Sequence, residues 1–229
     1  MTRTTQTLNR RCVIVFVRAP QMGTVKTRLE KVIDPYMVLE IYRCFAKDVI
    51  DTLKGSADAV RVCFCPSEQK ASVVDWLGEA LDYFPQIGKN LGERMGNAFM
   101  ETFNRGFQQA VLVGADIPDL PGAVIRDAFS AIERGEAAIG PSRDGGYYLI
   151  GFGRNRFYPS IFNNIRWGAN NVFKETLAAF QKLGVPLHIG SKWRDIDEYE
   201  DLLDFIDKCS PKSKAGIHTI NCLKKFDLA

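Results

Sequence analysis

The sequence predicts an α/β layer fold with a largely parallel sheet, and three observations carry that prediction. Short apolar runs alternate with segments of helical periodicity along almost the whole chain. The run Cys12–Val17 is β-branched and continuously apolar, as in a strand buried on both faces. Four polar clusters follow the ends of predicted strands, and in open α/β sheets ligands collect beyond those carboxyl ends.

Each element has its own signal. After Cys12–Val17 comes a loop from Arg18 to about Lys31. Asp34 and Pro35 then offer a cap and a first-turn proline, and Val38, Ile41, Tyr42, Phe45 and Val49 recur at helical spacing until Gly55. Val60–Cys65 is a second strand, Ala71–Leu77 a short helix and Leu81–Phe84 a weaker strand. Glu93–Phe107 is predicted helical, with Met95, Phe99, Thr102 and Phe103 facing inward. Ala110–Ala115 is a buried strand, Gly122–Glu133 a helix and Ala137–Pro141 a strand. An Asp144-Gly145-Gly146 turn leads into the apolar Tyr147–Phe152. Val172–Leu183 is a helix, Val185–Ile189 a strand and Glu198–Lys208 a helix. The expected organisation is a tail over 1–10, one domain over 11–209 and an appendage over 210–229, joined through a Pro/Ser/Lys/Gly linker at Ser210–Gly216.

Composition narrows the function classes. A chain of 229 residues with 46% hydrophobic and 25% charged residues can bury a full core. A net charge of +3, without Lys/Arg runs, argues against nucleic acid as a partner. Met1–Arg10 lacks an apolar stretch, so no secretory signal is expected, and no segment approaches the roughly 20 apolar residues of a membrane span. The six cysteines form no C-x-x-C pair; reduced thiols in a cytoplasmic protein are expected.

The first polar cluster is Arg18-Ala-Pro-Gln-Met-Gly23-Thr-Val-Lys26-Thr27-Arg28. It offers a close backbone approach at Gly23 and cationic groups for phosphate oxygens, but it is neither a Walker A loop nor a Rossmann fingerprint. A solvated basic loop is the equal alternative. The second, Gly114-Ala-Asp116-Ile-Pro118-Asp119, delivers a carboxylate at a strand end, where it can hold Mg²⁺ on two phosphates; Asp119 is expected to cap the next helix. The third, Arg143-Asp144-Gly145-Gly146, is both a hairpin turn and a bare-backbone surface for a sugar or phosphate. In the fourth, Asp197 and Glu200 resemble a capping pair, which leaves Asp195 as the favoured second metal carboxylate and Asp197 the lesser one. Asn90 could cap a helix whose start, with Arg94, faces an anion. Trp167 is expected in the core, and neither His188 nor His218 suggests a catalytic imidazole.

The ordered motifs FVRAPxxGxxKTRL, LGERM, GADIPDL, GPSRDGGYYLIG and DIDEYEDL, from about Val13 to Phe205, resemble the bacterial DUF2064 family, also called selenodomain-associated transferase 1. That family is similar to the phospholactate and molybdenum-cofactor guanylyltransferase groups. The resemblance implies a three-layer α/β/α domain with a mixed, mostly parallel sheet, of the glycosyltransferase-A-like nucleotide-diphospho-sugar transferase kind. It implies phosphate contacts from Gly23, Lys26 and Arg28, with Arg18, Thr27 and Arg94 as further nucleotide contacts. It places the metal on Asp116, and the second substrate at Asp144, Gly145 and Gly146. The family commonly has Lys at Arg18 and Ser-Thr at Gly168-Ala169.

Three functions remain open. The first is a glycosyl transfer dependent on Mg²⁺ or Mn²⁺, from a nucleotide-diphospho-sugar to a small-molecule acceptor. Here Asp116, Asp144 and Lys26 carry the chemistry, with Asp144 orienting or deprotonating the acceptor hydroxyl. The second is nucleotidylyl transfer from a nucleoside triphosphate to a phosphorylated small molecule. The third is a non-catalytic nucleotide-binding domain, marked by Asp116 turned away from Asp195 or by Lys26 buried in an ion pair.

Overall fold

The structure is a computed structural model that describes residues 10–209 and 215–229. The expected tail, apart from Arg10, and most of the expected linker lie outside the described residues. The strands are β1 (Arg11–Arg18), β2 (Ala59–Cys65), β3 (Asp82–Pro85), β4 (Gln109–Gly114), β5 (Ala137–Pro141), β6 (Tyr147–Gly153) and β7 (Leu187–Ile189). The helices are α1 (Pro35–Leu53), α2 (Lys70–Leu77), α3 (Leu91–Asn104), α4 (Gly122–Glu133), α5 (Val172–Leu183), α6 (Tyr199–Lys208) and α7 (Ile217–Lys225).

The seven strands form one sheet in the order β3-β2-β1-β4-β6-β5-β7. All neighbours are parallel except β6, which runs antiparallel to both β4 and β5. The antiparallel strand follows from the Asp144-Gly145-Gly146 turn, too short for a crossover, which folds β6 back against β5.

Strand alternation builds the three layers. Val13, Val15 and Val17 of β1, with Val111 and Val113 of β4, enter the core beneath α1, α4, α6 and α7. Cys12 and Ile14, with Ala110 and Leu112, enter the opposite core against α3 and α5, where Phe99, Phe152 and Phe180 are fully covered.

Local chemistry explains most element ends. Asp34 accepts from the amides of Tyr36 and Met37, and Pro35 opens α1. Asn90 caps α3 by accepting from Glu93 N at 2.9 Å. That cap starts α3 two residues earlier than the apolar pattern alone suggests, and Gly106, at φ +91°, follows its end. Gly184 ends α5 in the left-handed region. Two capping expectations are corrected. α6 is capped by Glu198, not Asp197, with Asp201 accepting from the amides of Asp197 and Glu198. Asp119 leaves α4 uncapped and instead accepts from the Trp193 indole at 3.0 Å.

The strand order reverses at β1. The chain proceeds outward from β1 to β2 and β3, then crosses to β4 on the other side. A crevice therefore opens where the loops leaving β1 and β4 part, the place at which open α/β sheets bind ligands.

Candidate functional site

A cavity of about 850 Å³ occupies this crevice, within the size range of small-molecule sites. Its walls come from the ends of β1 (Arg18), β2 (Cys65) and β4 (Asp116), from the loop carrying Lys26, and from Asp144, Asp195 and Asp197. All four polar clusters meet there.

Three carboxylates converge. Asp116, Asp195 and Asp197 each present a ligand atom, and these atoms lie within 4.8 Å of one another. The backbone fixes two of them together, because Ile196 N donates to Asp116 O at 3.0 Å and holds 195–197 beside the loop after β4. Ile196 is buried between its two acidic neighbours, so both flanking side chains turn the other way, toward the cavity. Burial, then Asp116, Asp197 and Asp144, pushes the Asp195 carboxyl up to about 7. The cluster thus carries more negative charge than its one lysine neutralises, the setting in which a bound cation dominates the local charge.

Lys26 answers part of that field. Its side chain is only 7% exposed, with Nζ 2.7 Å from Asp116 Oδ2 and 2.5 Å from Asp197 Oδ1. Burial alone would lower its pKa, but the two carboxylates outweigh burial and raise it. Lys26 therefore contacts carboxylates here, where the sequence suggested phosphate. Asp197, with its capping duty taken by Glu198, is free to enter the cluster. One mark of a non-catalytic domain is thus present, in the buried Lys26 pair. The other is absent, because Asp116 and Asp195 face each other.

The rest of the first loop divides. Tyr42 clamps its start, its hydroxyl accepting from Arg18 N and donating to Arg18 O. Buried Val25 and Leu29 anchor it on either side of Lys26. Arg18, Thr27 and Arg28 line the cavity. Arg28 is also 3.4 Å from Glu198, an exposed pair of little energetic weight. Gly23 is not among the lining residues; at φ +72° it turns the loop, and its amide donates to Glu30.

Across the cavity, Asp144 Oδ1 accepts from Gly146 N at 2.9 Å and from the Ser142 hydroxyl, which fixes the carboxylate at the turn. Gly146 lines the cavity, whereas Gly145 does not. A Cβ at Gly145 would stand 1.9 Å from Asn170 O, so its bareness admits the 166–171 segment of this chain. Phe173 N donates to Gly145 O and completes that closure.

The sequence reading missed several lining residues. Cys65 ends β2 and Gln86 lies just past β3, and the rule that strand ends line such sites could have found them. Gln86 Nε2 donates to the carbonyls of Val17 and Cys63 and so ties β3 to the first two strands. Trp167, expected in the core, is half-buried and lines the cavity; a Cβ on Gly92 would meet its ring at 2.6 Å. Arg94 also lines it, with Nε donating to Gly88 O. The two histidines sit elsewhere, against Asp127 and Asp51.

Comparison with known proteins places this geometry. A crystal structure from Desulfovibrio desulfuricans G20, described as a "putative nucleotide-diphospho-sugar transferase", is 33% identical; the match covers 95% of each chain with a TM-score of 0.88. A nucleotidyl transferase from Methanothermobacter is 15% identical over 87% of this chain and 97% of its own, with a TM-score of 0.56. Rv0371c from Mycobacterium tuberculosis, in complex with manganese, is 14% identical over 87% of this chain and all of its own, with a TM-score of 0.55. The latter two share the fold. No curated protein matches the chain. The profile of DUF2064, described as an uncharacterized protein conserved in bacteria, matches residues 49–169, and with the Desulfovibrio relative it establishes that the chain belongs to this family.

Proposed function

We propose that the protein is a metal-dependent transferase acting on a nucleotide-diphospho-sugar, with Asp116, Asp195 and Asp197 holding Mg²⁺ or Mn²⁺. The observation that carries this reading is the convergence of three carboxylates at the sheet's switch point, inside a cavity large enough for a nucleotide. The donor set fits the ion. It is all oxygen, suited to hard cations, and its negative charge exceeds what Lys26 neutralises. The manganese complex of the Mycobacterium fold relative is consistent with it. Such an ion supplies charge neutralisation for a phosphate leaving group.

The chain's own residues do the rest. Arg18 and Arg94 line the cavity, and among the described residues neither is paired with a carboxylate, so both are available to phosphate oxygens. Asp144, held through Oδ1, keeps Oδ2 to accept the proton of an acceptor hydroxyl. Gly146 lets that acceptor lie against backbone.

A second reading, nucleotidylyl transfer to a phosphorylated small molecule, is favoured by one observation. Arg18 and Arg28, together with Thr27 and Lys26, line the same cavity, a set of donors suited to a triphosphate and its pyrophosphate leaving group. Reaction products separate the two: nucleoside diphosphate release for the first, pyrophosphate release for the second.

The test is a thermal-shift panel of nucleoside triphosphates and nucleotide-diphospho-sugars, with and without Mg²⁺ or Mn²⁺, beside Asp116→Asn. A ligand at about a hundred times its Kd should add roughly 2.7 kcal/mol, or about 5–11 °C at this chain length. The shift is expected to need the metal and to vanish in the variant. No shift with any nucleotide at millimolar concentration overturns the reading.

A further inference from the structure

The ammonium of Lys26 bridges Asp116 and Asp197, two of the three carboxylates that would hold a cation. It lies 2.7 Å from one carboxylate and 2.5 Å from the other, with its side chain 7% exposed. A divalent ion ligated by both would sit about 2.0–2.2 Å from each oxygen. An ammonium and a divalent ion so close in a half-buried site repel, so one must leave as the other enters.

The loop shows which part can move. Val25 at 4% and Leu29 at 0% exposure pin the backbone on both sides of Lys26, and Tyr42 pins the loop's start. Lys26 itself holds a left-handed backbone conformation, φ +49°, that points its flexible stem into the cavity. The exchange is therefore a swing of the side chain within the cavity, with the loop in place.

After the swing, the ammonium needs a new anion. A free metal ion brings none, and its entry would strand a buried positive charge beside a divalent one. A metal ion carried by a di- or triphosphate brings anionic oxygens into the same cavity, and the ammonium passes from carboxylate to phosphate. We propose that Lys26 makes this site selective for a divalent cation that arrives with a nucleoside di- or triphosphate, and against the free cation. This rests on the metal–phosphate reading above and adds to it an order: Lys26 guards the carboxylates until the polyphosphate relieves it.

The experiment is a Mn²⁺ titration followed by the electron paramagnetic resonance signal of free Mn²⁺. It uses the wild type, Lys26→Met and Lys26→Gln, with Mn²⁺ alone and with each of ADP, GDP, CDP and UDP, every nucleotide series read as the loss of free Mn²⁺ beyond that in the same nucleotide without protein. The methionine removes the charge at similar length. The glutamine keeps N–H donors for the carboxylates and serves if the methionine variant does not fold. Both variants are expected to bind Mn²⁺ alone at least about tenfold tighter than the wild type. A nucleoside diphosphate should tighten Mn²⁺ binding by a larger factor in the wild type than in either variant, since only the wild type has an ammonium that the phosphate draws off the carboxylates. Equal affinity for Mn²⁺ alone in all three proteins overturns the proposal and leaves the metal–phosphate site standing. Absence of Mn²⁺ binding in every protein, with and without nucleotide, overturns both.

Discussion

Gly145 shows how a single residue shapes the site. Its φ of +92° is strained for any side chain, and Asn170 O occupies the space a Cβ would need. Gly145→Ala is expected to cost at least about 2 kcal/mol, read as a lower urea midpoint at unchanged slope. Gly106→Ala, at a similar φ but with open space around it, is the control and should cost only about 1 kcal/mol. Equal losses at the two positions would mean that the 166–171 segment does not press on the turn. The identity of these residues was legible in the sequence, since Asp-Gly-Gly announces a turn with bare backbone. Which atom fills the bare space was not, because Asn170 meets Gly145 only through tertiary folding. The same limit hid the partner of Lys26: the carboxylate of Asp197 lies 171 residues away along the chain.

Among the elements, α7 depends on one carboxylate. Asp48 of α1 accepts from His218 N at 2.9 Å, Thr219 N at 2.8 Å and the Thr219 hydroxyl at 2.6 Å. The two amides belong to the first turn of α7, groups that no intrahelical bond satisfies. Leu223 then seats in the core beside α1. Asp48→Ala should cost about 1–3 kcal/mol and release α7. Hydrogen exchange would show this as lost amide protection over 217–225, with α1 still protected. Unchanged protection in α7 would place its anchorage in Leu223 instead. The sequence marks a helix start with Ser, Thr, Asp or Asn close by, as at Asp34 and Asn90, and those two were legible. A cap supplied from 170 residues upstream leaves no such mark. For the same reason the pairing pattern of α6 was read one residue early: Asp197 and Glu198 are both acidic, and only the fold shows which one turns inward.

At the level of the whole molecule, the periodicity of the chain made the layers readable, and the short turn after β5 made the antiparallel β6 readable. The strand order β3-β2-β1-β4-β6-β5-β7 was not, because pairing between distant strands is decided by packing. That order places the ends of β1 and β4 side by side and so creates the cavity. It also distributes the chain's three tryptophans unevenly. Trp76 is sealed in the core at 8% exposure, and the Trp193 indole donates to Asp119. Trp167 alone lines the cavity, its ring lying on Gly92. The protein therefore carries its own optical probe. A nucleotide entering with its metal should change the indole emission of the wild type and of Trp76→Phe, and leave Trp167→Phe silent. A signal that survives in Trp167→Phe would assign the response to another indole and to a motion reaching beyond the cavity. With the probe working, ligand arrival can be timed by stopped flow without labelling the protein.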